Sequence, residues 1–242
     1  MRAGQDAEPV LDRELRDGDE HRRLREALVG GPVAAAVSDP RVLDAMRRVP
    51  RHSFVPTNVL ARAYEDHPLP IGRGQTIPQP SLVGLMAQLL HVRAGDRVLE
   101  VGTGSGYQAA ILAQLTDQVY SVEIVPELAA SARAVLDLLG YGAVHTDRRD
   151  GYLGWPEHAP YRAIVVAAAP GHIPQPLVDQ LAPDGGRLVI PLGSSWDSQS
   201  LCLITRHGEL VERQRILDVR FVPLTREPPV NHPRPPDDSA AG

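Results

Sequence analysis

Apolar positions between residues 97 and 192 switch repeatedly between two periods, and that switching predicts the fold. RVLEVG is a short β-rich run, a glycine-rich turn follows it, and SGYQAAILAQL has helical spacing. QVYSVEI repeats the strand pattern, and PELAASARAVLDLLG repeats the helix pattern, ending at Gly140 where a glycine suits a helix C-cap. AVHTD is a weaker third strand, YRAIVVAAAP a buried one, IPQPLVDQL a short helix and GGRLVIPLG a further strand. SQSLCLITR and ELVERQRILDVRFVPL close the pattern with β character. Strand–helix alternation of this kind predicts an α/β fold with a doubly wound, mostly parallel sheet, helices on both faces and a C-terminal β extension.

Upstream the pattern is helical. Residues 19–29 predict a helix with Leu24 and Leu28 on one face. SDPRVLDAMRRVP predicts a second, capped by Ser38 or Asp39, with Pro40 in its first turn and Val42, Leu43, Met46 and Val49 as its apolar face. The segment 72-GRGQTIPQPS-81 is expected to be a loop at the mouth of a third helix over 81–90. About the first 20 residues are charged and unpatterned and are expected to be loose. The Pro- and charge-rich tail over 226–242 is expected to be disordered.

Composition narrows the function classes. The chain has 242 residues, 43% of them hydrophobic, which suits one sizeable domain. A formal charge of −5 argues against nucleic acid as the main partner, since phosphate binding calls for clustered Lys and Arg. Cys202 is the only cysteine, so an internal disulfide and a multi-cysteine metal site are excluded; within LCLIT it is expected to be a small buried residue. No metal site is expected. The N-terminus lacks the apolar core of a signal peptide and no apolar stretch approaches a membrane span, so a soluble, cytoplasmic protein is expected.

Candidate chemistry concentrates in 98-VLEVGTGSGYQAA-110. A strand runs into Gly102, Gly104 and Gly106, residues that permit a tight turn and close backbone approach to a ligand. Glu100 lies in the strand before the turn, Glu123 ends the next strand, and Asp150 follows the third. In a doubly wound sheet ligands sit at the carboxyl ends of the strands. There Glu123 can take ribose hydroxyls and Asp150 an adenine amino group. Thr103 and Tyr107 of the turn, with Ile124 and Gly151 beside the acids, complete the candidate cofactor set. The glycine spacing differs from the dinucleotide G-x-G-x-x-G, and the chain contains no lysine to meet a phosphate. A nucleoside without pyrophosphate fits, with S-adenosylmethionine as the candidate.

The order VPRHSFVP, AYEDHPLPIGRGQTI, QPS, VLEVGTGSGYQAAILAQL, VYSVE, DGYLGWPEHAPY, IPQPLVDQL, GGRLVIPLG and VRFVPL resembles the protein-L-isoaspartate O-methyltransferase family over residues 33 to 225. The resemblance implies a class I methyltransferase domain over 33–225, flanked by a partly helical extension (1–32) and the tail. It also implies S-adenosylmethionine as methyl donor and, as acceptor, the free carboxylate of an isoaspartyl residue in a peptide or protein. The resulting ester closes to a succinimide that hydrolyses partly back to aspartate. A carboxylate has an ordinary pKa near 4 and needs no strong base, in keeping with the lack of a Ser-His-Asp set or H-E-x-x-H motif. His52 and His67 are expected to have packing or surface roles. Gln75, Thr76, Ile77, Pro78 and Ser81 are expected to form the floor of the acceptor site, through backbone N–H groups, two hydroxyls and the positive end of the following helix.

Three positions depart from the family pattern: Pro78 where relatives often carry Ser, Arg162 where Asp is common, and Arg149 where Gly is common. Pro78, Arg162 and the terminal segments outside the shared region motivate a second reading, an enzyme that methylates aspartate in one dedicated substrate peptide to make an aspartimide. A silent binding protein that keeps the pocket is the third. The acidic balance and the lack of an N/D-P-P-Y motif disfavour a nucleic-acid methyltransferase.

Overall fold

The computed structural model describes residues 17–193 and 198–226. The expectations for residues 1–16 and 227–242 lie outside the described residues. Seven strands form one sheet in the spatial order β5-β4-β3-β6-β7-β8-β9, where β3 is Arg97–Val101, β4 Gln118–Glu123, β5 His145–Arg148, β6 Ala163–Val166, β7 Asp184–Leu192, β8 Gln199–His207 and β9 Leu210–Val219. The first five are mutually parallel, while β8 and β9 add on antiparallel. Chain order reverses between β3 and β6, so the loops after these two strands diverge and leave a crevice at their carboxyl ends.

Strand side chains alternate between two faces, and both faces are covered. Val98, Val119, Val165 and Val189 pack into a cluster under α3 (Pro80–Leu90), α4 (Tyr107–Ala113) and α5 (Pro126–Leu138). Their neighbours Leu99, Tyr120, Ile164 and Leu188 pack into the opposite cluster with Trp155, Tyr161 and Leu177 of α6 (Gln175–Asp179). Cys202 is fully buried there, as its apolar setting predicts. Strand β9 is an edge whose exposed residues include Glu212, Arg213 and Arg215, charges that discourage pairing with another chain.

The N-terminal helices pack on the first cluster through Leu28, Val29, Val33 and Met46. Helix α1 (Asp19–Leu28) exists, but Leu24 is 44% exposed, contrary to its expected place on the apolar face. Arg25 is buried in its stead. It chelates Asp17 at 2.8 Å through both terminal nitrogens and reaches Tyr64 Oη, so its burial is compensated. The helix then widens into a π-turn, Val29–Val33, where Pro32 can supply no N–H to a regular ladder. Helix α2 (Pro40–Arg48) follows the sequence reading: Asp39 caps it by accepting from Arg41 N–H, and Val42, Met46 and Val49 are buried.

The stretch 72–81 is not a simple loop. Strands β1 (Leu69–Gly72) and β2 (Gln75–Ile77) form an antiparallel hairpin in which Gly72 faces Gln75. Arg73 (φ 54°) and Gly74 (φ 71°) are its two central residues, both left-handed, as a type I′ turn requires. Arg73 also pairs with Glu127 of α5 at 3.0 Å, holding the hairpin tip over the sheet.

Candidate active site

The glycine loop leaves β3 at Val101 and enters α4 at Tyr107. Gly102, Gly104 and Gly106 have φ of 94°, 53° and 90°, a region that side chains with a Cβ rarely adopt. Gly102 N–H donates to Val122 O at 2.8 Å and Gly106 N–H to Thr103 O at 2.8 Å, which locks the turn against the end of β4. The loop, the end of β4 and the hairpin line one cavity.

Of the expected cofactor residues, Glu100, Gly102, Thr103, Gly104, Tyr107, Glu123, Ile124 and Gly151 line this cavity. Glu123 is held at both oxygens: Oε2 accepts from Gly104 N–H at 2.8 Å and Oε1 from Val125 N–H at 3.0 Å. It therefore braces the glycine loop and still has lone pairs for a ligand's hydroxyls. Glu100 is fully buried; its Oε2 accepts from the Ser121 hydroxyl, which in turn accepts from Thr103 at 2.6 Å, and its Oε1 has no partner. Burial, aided by the nearby negative Glu123, pushes the Glu100 carboxyl up to about 8, so it holds its proton at neutral pH in the ligand-free protein. Gly151 must lack a side chain, because a Cβ there would sit 2.4 Å from Val101 Cγ1.

Two expected cofactor residues lie off the cavity wall. Gly106 shapes the turn and packs against Leu136 of α5, 3.3 Å from where its Cβ would be. Asp150 accepts from Tyr152 N–H at 3.0 Å and pairs with Arg226 at 3.2 Å, so its carboxylate is already engaged with the C-terminal segment.

On the acceptor side the hairpin brings Gln75, Thr76, Ile77 and Pro78 to the cavity. Ser81 lies off the cavity wall: its N–H and hydroxyl both donate to Asp66, at 2.8 and 2.7 Å. The Asp66 carboxylate thus occupies the positive end of α3 that was expected to face an acceptor. Pro78 is clamped from behind, where the fully buried Arg51 donates to its carbonyl at 2.9 Å and to Ala63 O at 3.0 Å. Burial brings the Arg51 guanidinium down to about 10, and it stays charged at neutral pH. His52 is buried, stacked on His21 at 3.8 Å and bonded to Tyr64 Oη, as a packing role predicts; His67 is exposed.

The sequence reading missed part of the wall. Val222, Pro223, Leu224 and Thr225 cross the cavity, tied by Ala169 N–H to Val222 O (2.8 Å) and Leu224 N–H to Ala169 O (3.0 Å). No local pattern points from these residues to a site more than a hundred positions earlier. Gln108 was also missed, although one amide in the otherwise apolar helix YQAAILA is a visible signal.

A cavity at the switch point, with a glycine loop and a strand-end carboxylate on one side and a tethered hairpin on the other, lies where open α/β sheets bind their ligands. Comparison with known proteins agrees. The sequence profile of the protein-L-isoaspartate (D-aspartate) O-methyltransferase family matches residues 26–228. The protein-L-isoaspartate O-methyltransferase of Gloeobacter violaceus is 54% identical over 191 residues, covering 79% of this chain and 93% of the relative. Protein-L-isoaspartate O-methyltransferase 2 of Syntrophobacter fumaroxidans is 56% identical over 188 residues, covering 77% and 76%. Among solved structures, a protein-L-isoaspartate O-methyltransferase superposes with TM-score 0.75 at 30% identity, covering 82% of this chain and 65% of that longer one. A Plasmodium falciparum structure described as a protein of the same kind, in complex with S-adenosyl-L-homocysteine, gives TM-score 0.72 at 25% identity and covers 86% and 99%. With four-fifths of its length matched, the chain belongs to the protein-L-isoaspartate (D-aspartate) O-methyltransferase family.

Proposed function

We infer that the enzyme methylates the free carboxylate of isoaspartyl residues in peptides and proteins, with S-adenosylmethionine as donor. The observation that carries this reading is the meeting of the glycine loop and the 75–78 hairpin in one cavity, donor side against acceptor side. The donor fits the residues present: Glu123 presents a carboxylate where a ribose would lie, and Glu100 Oε1 is buried and unpartnered on the same wall. When bound, the donor supplies an electrophilic methyl on a sulfonium centre.

The chain's own task is to hold and dry the acceptor. An isoaspartyl carboxylate is ionised at neutral pH, so the transfer needs no general base, and among the described residues no histidine lines the cavity. Holding two reactants in line can contribute roughly 7–11 kcal/mol towards the barrier. Thr76 lies on the wall with its hydroxyl in no hydrogen bond among the described residues, free to donate to the acceptor carboxylate. Ile71, Ile77, Val83, Val222 and Leu224 supply the apolar surface that excludes water. Arg51, through the Pro78 carbonyl, keeps the hairpin at its distance. The ester formed closes when the following backbone nitrogen attacks it and methanol leaves, giving the succinimide from which normal aspartate is regained.

Thr76→Val is expected to lower kcat/KM for an isoaspartyl peptide about tenfold or more, the loss of one hydrogen bond to a charged group. The Kd for S-adenosylhomocysteine should stay within twofold. Full activity in this variant would remove Thr76 from the acceptor site.

Arg162 pairs with Asp184 at 3.2 Å beside the amino end of β6, and Arg149 pairs with Asp147 and Glu157; neither lines the cavity. Only Pro78, of the three departures from the family pattern, stands on the wall, where it supports the reading of a dedicated aspartyl peptide. Labelled S-adenosylmethionine with paired Asp and isoAsp peptides separates the two. Base-labile methyl ester on isoAsp alone is expected. Ester on the Asp peptide would favour the dedicated substrate, and none on either would remove the repair reading.

A further inference from the structure

We propose that Gln108 is a specificity-determining residue for the donor, recognising its α-amino-acid head group. The proposal rests on the donor reading above and assigns a residue to one end of that ligand. Gln108 is 6% exposed, and both its side-chain oxygen and its nitrogen are buried without a hydrogen-bond partner. A buried amide with neither end satisfied is rare in a folded chain, because its lost hydration is not replaced. Its flanking residues Tyr107 and Ala109 are buried apolar positions, so an aliphatic side chain would pack there at no such cost. Gln108 also lines the cavity between the glycine loop and the hairpin, which gives the amide one place to find a partner: the ligand.

The chemistry of the orphaned atoms indicates which part of the ligand. Gln108 offers a donor at Nε2 and an acceptor at Oε1, and Glu100 Oε1, unpartnered on the same wall, becomes a further acceptor once a cation beside it favours loss of the Glu100 proton. An acceptor-peptide carboxylate carries no donor and would leave both oxygens unsatisfied. A zwitterionic amino acid carries both kinds of group: its carboxylate accepts from Gln108 Nε2, and its ammonium donates to Gln108 Oε1 and Glu100. The nucleoside end has its own wall in Glu123, Ile124 and Gly151.

Two ligands test this by calorimetry: S-adenosylhomocysteine, which has the head group, and 5′-methylthioadenosine, which lacks it. For Gln108→Leu, and for Gln108→Met as a variant of matching length, the Kd for S-adenosylhomocysteine should rise at least tenfold. That for 5′-methylthioadenosine should stay within twofold, and the ligand-free melting temperature should be equal or higher. Unchanged S-adenosylhomocysteine affinity would overturn the proposal, as would equal weakening of both ligands. A raised KM for the isoaspartyl peptide with donor affinity intact would move Gln108 to the acceptor side and overturn it too. If the wild-type protein bound neither nucleoside, the donor reading itself would fall, a result distinct from any behaviour of the variants.

Discussion

Glu123→Ala is expected to raise the KM for S-adenosylmethionine at least tenfold, with kcat at saturating donor changed far less. The carboxylate does two things at once. It accepts from Gly104 and Val125 N–H groups, fixing the glycine loop, and its remaining lone pairs face the cavity where ribose hydroxyls would lie. Removing it leaves both N–H groups without a charged acceptor and deletes the ligand contact. Hydrogen bonds to charged groups contribute about 1.5–3 kcal/mol each, and 1.4 kcal/mol is a factor of ten. Glu123→Gln should fall between wild type and alanine, since its amide nitrogen opposes one of the two backbone donors. Initial rates at varied donor concentration decide the matter. A KM within threefold of wild type would show that Glu123 braces the loop without touching the donor.

The second large effect concerns stability and pH. Glu100, fully buried and raised to about 8 chiefly by burial, keeps its proton in the folded chain between roughly pH 4.5 and 8, while the unfolded chain gives it up. The folded state then holds more protons than the unfolded one, so the stability associated with Glu100 is complete below about pH 4.5. It is lost as pH rises towards 8. Each unit of separation corresponds to about 1.36 kcal/mol, so the full effect is on the order of a few kcal/mol. Glu100→Gln, which imitates the protonated form and keeps a group for Ser121, should melt several degrees above wild type at pH 8.5 and converge with it below pH 5. Parallel melting curves across that range would mean that Glu100 is ionised and compensated in the fold.

How far the chain could be read before folding differs between its parts. The strand–turn–helix from Arg97 to Ala113 and the caps of α2 follow from local rules, because the deciding groups are neighbours in sequence. The hairpin over 69–77 overlaps the stretch 72–81 that local pattern reads as a loop, since strands of four and three residues are too short to show alternation, and Gly72-Arg73-Gly74 is the local sign of its turn. Periodicity puts Leu24 on the packed face because hydrophobicity outweighs charge in such a count. Asp17 and Tyr64 make Arg25 the better-satisfied buried group.

Sequence by itself determined the sheet's alternating plan, the glycine loop, the strand-end acids and the family, all carried by short spacings or contiguous motifs. Tertiary structure decided which candidate groups are available. Ser81 is taken by Asp66, fifteen positions earlier, and Asp150 by Arg226, seventy-six positions later. Gln108 and Glu100 Oε1 are left unpartnered on the cavity wall, and residues 222–225 are brought in to complete it. A side chain's capacity to hydrogen-bond is written in its residue type, but whether that capacity is spent depends on partners that only folding brings within 3 Å.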